Sequence, residues 1–207
     1  DYLVQRGFKP ENVVRYCYRP MDVRWLYWEG ETDLLDRERA SYYPHVFDGN
    51  ISFASQQKPR REWSMPQVMR SIACLDIMDR SASCFPMYLA PDVGGGDLFS
   101  QPSADGDDGE PIPNLSAAAV EYLDRVGGTV ETLVSHTSAT LHAPTYRQAN
   151  EGALRQDWPR VPLPEDGDCL QESAELGRRV AALLDVEQAV DGVDAGTTRD
   201  DLRLLGR

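Results

Sequence analysis

Between Ala90 and Asn114 the chain carries Gly94-Gly95-Gly96, four prolines and six acidic residues with no basic one. This stretch divides the sequence into two halves that cannot fold alike. Glycine and proline offer no packing face and like charges favour solvent, so residues 91 to 114 predict an acidic, solvated linker or loop. The surrounding acids, and the lack of a following lysine, argue against the glycine triplet cradling a phosphate. Ahead of the linker, Val23 to Trp28, Ile51 to Gln56, Ser71 to Ile77 and Cys84 to Leu89 are short apolar or alternating runs separated by Gly, Pro and charge. Such runs predict strands of a mixed or antiparallel sheet. Beyond the linker the period becomes helical. Ser116 to Arg125 follows Asn and Ser capping residues and stops at Gly127-Gly128; Val130 to Leu141 sets Val130, Leu133, Val134 and Leu141 on one face, and Pro144 ends it. A third helix covers Tyr146 to Arg155. A fourth starts near Asp168, where Gln171 completes a capping box, and repeats Leu176, Val180, Leu183 and Leu184 as a core face. The fold class is therefore α+β: a strand-rich region over 1–90, the linker, a helical region over 115–190, and an acidic tail over 191–207 with a short helix at Arg199 to Leu205.

Charge follows the same division. Residues 1–90 hold 12 basic and 12 acidic groups, whereas residues 91–207 hold 9 basic and 22 acidic, the whole of the −13 excess. The strand-rich half is neutral, so the acidic total does not exclude a polyanionic partner there, although a net-acidic piece binds one weakly on its own. The two lysines beside nineteen arginines, with abundant Asp, Ala and Gly, suit a GC-rich bacterial coding source.

The neutral half opens on an interleaved run, Arg15-Tyr16-Cys17-Tyr18-Arg19-Pro20-Met21-Asp22-Val23-Arg24-Trp25-Leu26-Tyr27-Trp28, with five aromatic rings and three guanidinium groups in fourteen residues. Arginines over rings suit a surface that meets phosphates and bases. The same letters suit an internal set in which Asp22 pairs with Arg19 and Arg24 while the rings join the core. Both arrangements are open at this level.

A longer collinear pattern points to one family. The segments Tyr18 to Trp28, Leu35-Asp36-Arg37, Asn50-Ile51-Ser52-Phe53 and Phe85-Pro86-Met87-Tyr88-Leu89 resemble the C-terminal region of large adenine-specific DNA methyltransferases of the single-polypeptide (type ISP) restriction-modification and phage-defence kind. Leu141-His142-Ala143-Pro144-Thr145-Tyr146-Arg147 and Asp157-Trp158-Pro159-Arg160-Val161-Pro162-Leu163-Pro164 are similar to two further signatures of that family. The matches run over residues 15 to 185. The resemblance implies a target recognition domain that reads double-stranded DNA while a separate methyltransferase domain of the parent chain transfers a methyl group from S-adenosylmethionine to adenine. A first residue of Asp, not Met, fits an excised or processed piece of such an enzyme.

No chemistry of this chain's own is legible. It lacks a phosphate-binding Gly-Lys-Ser/Thr loop, a His-Glu-x-x-His pair and a nucleophile elbow. It also lacks the Asn-Pro-Pro-aromatic motif and glycine-rich cofactor loop with which amino-methyltransferases hold a flipped base and their cofactor. The expectation is a non-catalytic fragment with no cofactor. Cys17, Cys74, Cys84 and Cys169 are spaced neither as a disulfide framework nor as a zinc site, and predict reduced thiols. His136 and His142, six apart, do not share a helical face, and His142 predicts a hydrogen-bonded interior group. No apolar run reaches the roughly 18 to 20 residues that cross a bilayer, and no signal peptide is visible, so the simplest location is cytoplasmic with no membrane partner.

The sharpest candidate for base reading is Ser55-Gln56-Gln57-Lys58-Pro59-Arg60-Arg61, which leaves a strand and enters a loop where the resembled family carries a variable recognition stretch. Gln56 and Gln57 suit adenine N6 and N7, and Lys58, Arg60 and Arg61 suit guanine O6 and N7. A basic solvated turn is the plain alternative. Arg19 and Arg24 are expected to anchor phosphates, with Arg70 and Arg80 as further contacts unless Asp76 and Asp79 neutralise them. Tyr146, Arg147, Arg155, Trp158 and Arg160 form a second group that either faces DNA or packs helices. The acidic helical half also suits a protein-docking module with little direct DNA contact.

Overall fold

The computed structural model describes residues 2–30, 34–35, 41–78, 82–91 and 110–193. Gly94-Gly95-Gly96, Asp36-Arg37, Asp79, Arg80 and the expected helix at 199–205 lie outside them. After a short helix α1 (Tyr2–Arg6), the strand-rich half contains β1 (Val13–Arg19), β2 (Asp22–Tyr27), β3 (Ser52–Ser55), β4 (Gln67–Met69), β5 (Ile72–Ala73), β6 (Ser83–Pro86) and β7 (Tyr88–Leu89). One sheet has the order β2-β1-β5, with β1 antiparallel to β2 and parallel to β5; the second is antiparallel in the order β4-β3-β6. Their core is built from small and sulfur-bearing side chains: Cys17, Ala54, Met69, Ala73, Ile77, Met78 and Ala82, with Val23, Cys74 and Cys84 against it. Three cysteines far apart in sequence thus meet in one core as free thiols, and burial first, then the Asp22 charge, pushes Cys17 up to about 11.

Two expectations change here. The arginine–aromatic run holds two strands, not only the expected one at Val23 to Trp28, because its first part is β1, and Pro20-Met21 closes the β1–β2 hairpin. Met21 sits at φ 62°, where the central position of such a turn favours glycine, at a cost on the order of 1 kcal/mol. The expected strand over Ser71 to Ile77 shrinks to Ile72–Ala73, since Cys74 to Met78 turn back and bury Ile77 and Met78.

In the helical half, α2 (Ala117–Val126) is capped by Ser116, whose side chain accepts from the Ala119 N–H, and ends at Gly127 with φ 67°. Thr129 and Thr132 cap α3 (Val130–His142) reciprocally. Pro144 both stops α3 and starts α4 (Pro144–Leu154), where its missing N–H costs nothing. Helix α5 (Gly167–Leu184) begins earlier than expected: Asp166, not Asp168, is its cap, accepting from the Cys169 N–H at 2.8 Å.

The buried face of α5 is also different. Leu170, Ala174 and Gly177 are buried, whereas Leu176 and Leu183 are 57% and 49% exposed. The reason is close approach. A Cβ on Gly177 would lie 1.7 Å from the Ser135 carbonyl oxygen, so α5 turns Ala174 and Gly177, not Leu176 and Leu183, toward α3. Tyr122, Leu123, Leu133 and Leu170 form the core of this half.

The halves are joined by a last strand, β8 (Ile112–Pro113), at the end of the expected linker, which pairs antiparallel with β7. Asn50 reinforces the joint. Its buried amide donates to the His45 and Tyr88 carbonyls, each at 2.8 Å, and accepts from the Tyr88 N–H at 3.1 Å. The Tyr88 hydroxyl donates to Glu131 of α3, and burial together with that bond pushes the phenol up to about 12. Among the described residues no helix is long and apolar enough to cross a membrane, and no group of three or more His, Cys, Asp or Glu could hold a metal ion.

Candidate nucleic-acid interface

The β1–β2 hairpin resolves the two arrangements its sequence left open. A register shift between Cys17 and Arg19 skips Tyr18, whose ring is flanked by the Arg19 and Arg24 guanidinium groups at 4.6 and 4.2 Å. Arg24 is also bonded to Asp22 through two nitrogens, Nη2 at 2.6 Å and Nε at 2.9 Å, which holds the Asp22 carboxyl below its ordinary value. Arg19 donates to the Asp76 carbonyl at 2.9 Å and ties the hairpin to the turn after β5. On the hairpin's other face Arg15 lies 4.5 Å over Trp25 and pairs with Glu187, while Arg70 pairs with Asp185 at 3.4 Å. The segment after α5 is therefore strapped to the sheet by two ion pairs. They border an open cleft of about 560 Å³ between the sheets and helices α3 and α5. Its lining includes these ion-paired side chains.

The loop after β3 is built differently. Gln56, expected as a base reader, is 1% exposed and donates its amide to the Met78 carbonyl; it anchors the loop's departure from the sheet instead of facing a ligand. A polar side chain at the end of a strand is drawn inward when it meets a backbone carbonyl that would otherwise be buried without a partner. From Gln57 onward the chain turns to the surface. Lys58, Arg60 and Arg61 are exposed and form no ion pair among the described residues.

The helical half supports this loop through a proline-rich strap, residues 157–164. Prolines leave carbonyls without matching N–H groups, and side chains satisfy them. Tyr146 Oη donates to the Arg160 carbonyl at 2.8 Å, Tyr122 Oη to the Pro164 carbonyl at 3.0 Å, and His136 Nε2 lies 2.8 Å from the Pro162 carbonyl oxygen. The strap meets the loop directly. Gln57 Nε2 donates to Asp157 Oδ1 at 3.0 Å, and the Trp158 ring packs edge-on against Phe85 of β6, with centroids 5.4 Å apart. Further along, His142 Nε2 lies 3.0 Å from the Pro66 carbonyl oxygen, and Glu62, Trp63, Arg147, Glu151, Leu154 and Arg155 enclose a recess of about 190 Å³.

The structure thus gathers Gln57 and Lys58 with Asp157, Trp158 and Arg160 at one junction, and Arg60 and Arg61 stand exposed further along the same loop. Arg24 and Arg70 are engaged with acids; Tyr146 and Arg147 are half-buried supports of the strap and loop. Sequence reasoning did not place Asp157 or Phe85 beside the loop. Asp157 is 100 residues from Gln57, and no local period connects the two.

The architecture is thus two small sheets carrying an exposed polar loop, braced by a helical half. The profile described as Type ISP C-terminal specificity domain matches residues 2–200, and the chain belongs to that family. The resemblance drawn from the sequence motifs is thereby established. No curated protein sequence matches the chain. Similar folds occur in the cryo-EM structure of a DrdV–DNA complex (TM-score 0.64, 22% identity, 86% of this chain and 16% of that one). They occur also in a nuclease-deletion mutant of the Type ISP restriction-modification enzyme LlaGI with a DNA substrate mimic (TM-score 0.58, 17% identity, 86% and 14%). A third is the ATP-dependent Type ISP restriction-modification enzyme LlaBIII bound to DNA (TM-score 0.61, 14% identity, 87% and 12%). The chain spans about one sixth or less of the length of these proteins.

Proposed function

We propose that this chain reads the target sequence of double-stranded DNA on behalf of a larger restriction-modification enzyme, in which a separate domain methylates adenine with S-adenosylmethionine. The observation that carries this reading is the contrast among the cations. Arg15, Arg24 and Arg70 are paired with internal acids, whereas Lys58, Arg60 and Arg61 stand exposed on one loop with no such partner among the described residues. Cations without internal partners can meet phosphates and base edges without first breaking an ion pair. Membership of a specificity-domain family, and the DNA present in the similar structures, support the same reading. The Gln57 to Arg61 loop reads bases, Arg160 adds a contact from the strap, and Arg19 presents its guanidinium, stacked over the Tyr18 ring, to the backbone. This domain supplies no catalytic group, and the methyltransferase domain of the parent chain is its covalent partner.

The test is methylation mapping of plasmid DNA modified in cells by the full-length parent enzyme. Arg60→Ala or Gln57→Ala is expected to relax or change the base at one position of the recognition sequence, and Arg19→Ala to lower modification of all sites alike. An unchanged motif at unchanged rates in the two loop variants would overturn the assignment of this loop.

A further inference from the structure

The junction between loop and strap carries more than support. Gln57 is exposed, yet one end of its amide is held by Asp157. An ionised carboxylate is an acceptor only, so the NH₂ end of Gln57 must face it; the reversed amide would set oxygen against oxygen. The carboxylate is itself held in place. Asp157 Oδ1 also accepts the Trp158 backbone N–H at 2.8 Å, on a strap whose carbonyls are bonded by Tyr122 and Tyr146 and whose Trp158 ring rests on Phe85. Lys58 and Arg160 lie near enough to favour its charged form, and the Gln57 amide followed by the Trp158 N–H holds its carboxyl below the ordinary aspartate value. The outcome is a glutamine held with its NH₂ end toward Asp157.

Resting on the reading of the Gln57 to Arg61 loop as the base-reading element, we propose that Asp157 is a positioning residue that locks the Gln57 amide in the orientation that selects adenine. With one N–H spent on Asp157, Gln57 keeps one N–H and its carbonyl oxygen. A remaining N–H can donate to adenine N7 while Oε1 accepts from adenine N6. Guanine presents acceptors at both N7 and O6, so a fixed Oε1 would face O6 and be repelled. A free glutamine could swing Oε1 away from the base and donate both N–H groups to guanine N7 and O6; with one N–H spent on Asp157 it cannot. Specificity at this position arises from a contact within the protein that refuses the wrong base.

The experiment maps methylated sites, with relative rates at single-base variants of the motif, for the full-length enzyme carrying Asp157→Ala, Asp157→Asn or Gln57→Ala. Asp157→Ala is expected to lower discrimination of adenine against guanine by about 5- to 150-fold, the range of one bidentate contact, at the position that Gln57→Ala also relaxes. Asp157→Asn, whose Oδ1 the Trp158 N–H keeps turned as an acceptor toward Gln57, should restore most of the discrimination. A purely structural Asp157 would slow all sites equally, and that result overturns the proposal. So does a Gln57 position that is not adenine, or relaxation by Asp157→Ala at a different position. If Gln57→Ala changes one position and Asp157→Ala changes none, the lock fails while the loop survives. If neither Gln57→Ala nor Arg60→Ala alters the motif, the loop assignment fails and the lock with it. Thermal melting of each variant separates loss of fold from loss of selectivity.

Discussion

The strand-rich half and the helical half are held together by different physics. Among the described residues, the strand-rich half buries Glu29, Asn50, Ser52, Ser55, Gln56 and Ser71 around a core of alanine, cysteine and methionine; the helical half buries His136 and Ser138 beside leucines and a tyrosine. Short strands cannot gather much apolar area, so hydrogen bonds from buried side chains set their register and the points where loops leave. Helices with regular faces do so by packing. The Gln57 to Arg61 loop accordingly leaves from the half whose buried amides fix loop departures, and the packed half carries the strap that meets it.

Core truncation should separate the halves most sharply. Leu170, 1% exposed in the helical core, is expected to cost about 2 to 5 kcal/mol when replaced by Ala, whereas Leu176→Ala, on the outward face of the same helix, should stay within about 0.5 kcal/mol. Urea unfolding of the two variants checks this; equal losses would mean that α5 packs as its leucine period suggests. Next comes the close helix contact. Gly177→Ala forces a Cβ onto the Ser135 carbonyl, a backbone atom that cannot step aside, and should destabilise by about 1 to 3 kcal/mol, read from the same unfolding curves.

In the strand-rich half the corresponding weak point is polar. Asn50→Ala strips partners from the His45 and Tyr88 backbone groups and should cost about 1 to 3 kcal/mol. Hydrogen exchange should localise the loss to the β3, β6 and β7 region while α2 and α3 keep their protection. Uniform loss of protection would show that the halves unfold as one unit.

The smallest effect is a pH dependence at the joint. Burial lowers the His142 pKa, so the unfolded chain takes up a proton at higher pH than the folded one. The associated stability is complete above the ordinary histidine value near 6.5 and is lost as the pH falls through the lower folded value. His142→Gln should flatten this part of a stability–pH profile measured by urea midpoints. Asp157 and Asp166, both lowered by hydrogen bonds from Gln57 and the Cys169 N–H respectively, act in the same direction only below the ordinary aspartate range.

Local chemistry was enough to read much of this molecule. Ser116, Gly127-Gly128 and Pro144 bound helices because capping, left-handed glycine and a missing N–H act within a few residues. The motif order announced the family, and the change of period across residues 90–114 separated strands from helices. What local chemistry could not convey was which face or which end a side chain turns. Leu176 and Leu183 form a helical period with Val180, yet α5 packs through Gly177 and Ala174, because the approach of a second helix decided which stripe could be buried. Gln56 and Gln57 are chemically identical neighbours, and only the tertiary structure sends one inward to the Met78 carbonyl and the other outward to Asp157. The arginines show the same limit: composition supplied the cations, but folding chose which of them met Asp22, Asp185 and Glu187 and which stayed open. Backbone propensity and capping act over a few residues and are written in order along the chain. A hydrogen bond or an ion pair between residues 100 or more apart depends on how two halves dock, and no short-range pattern encodes that.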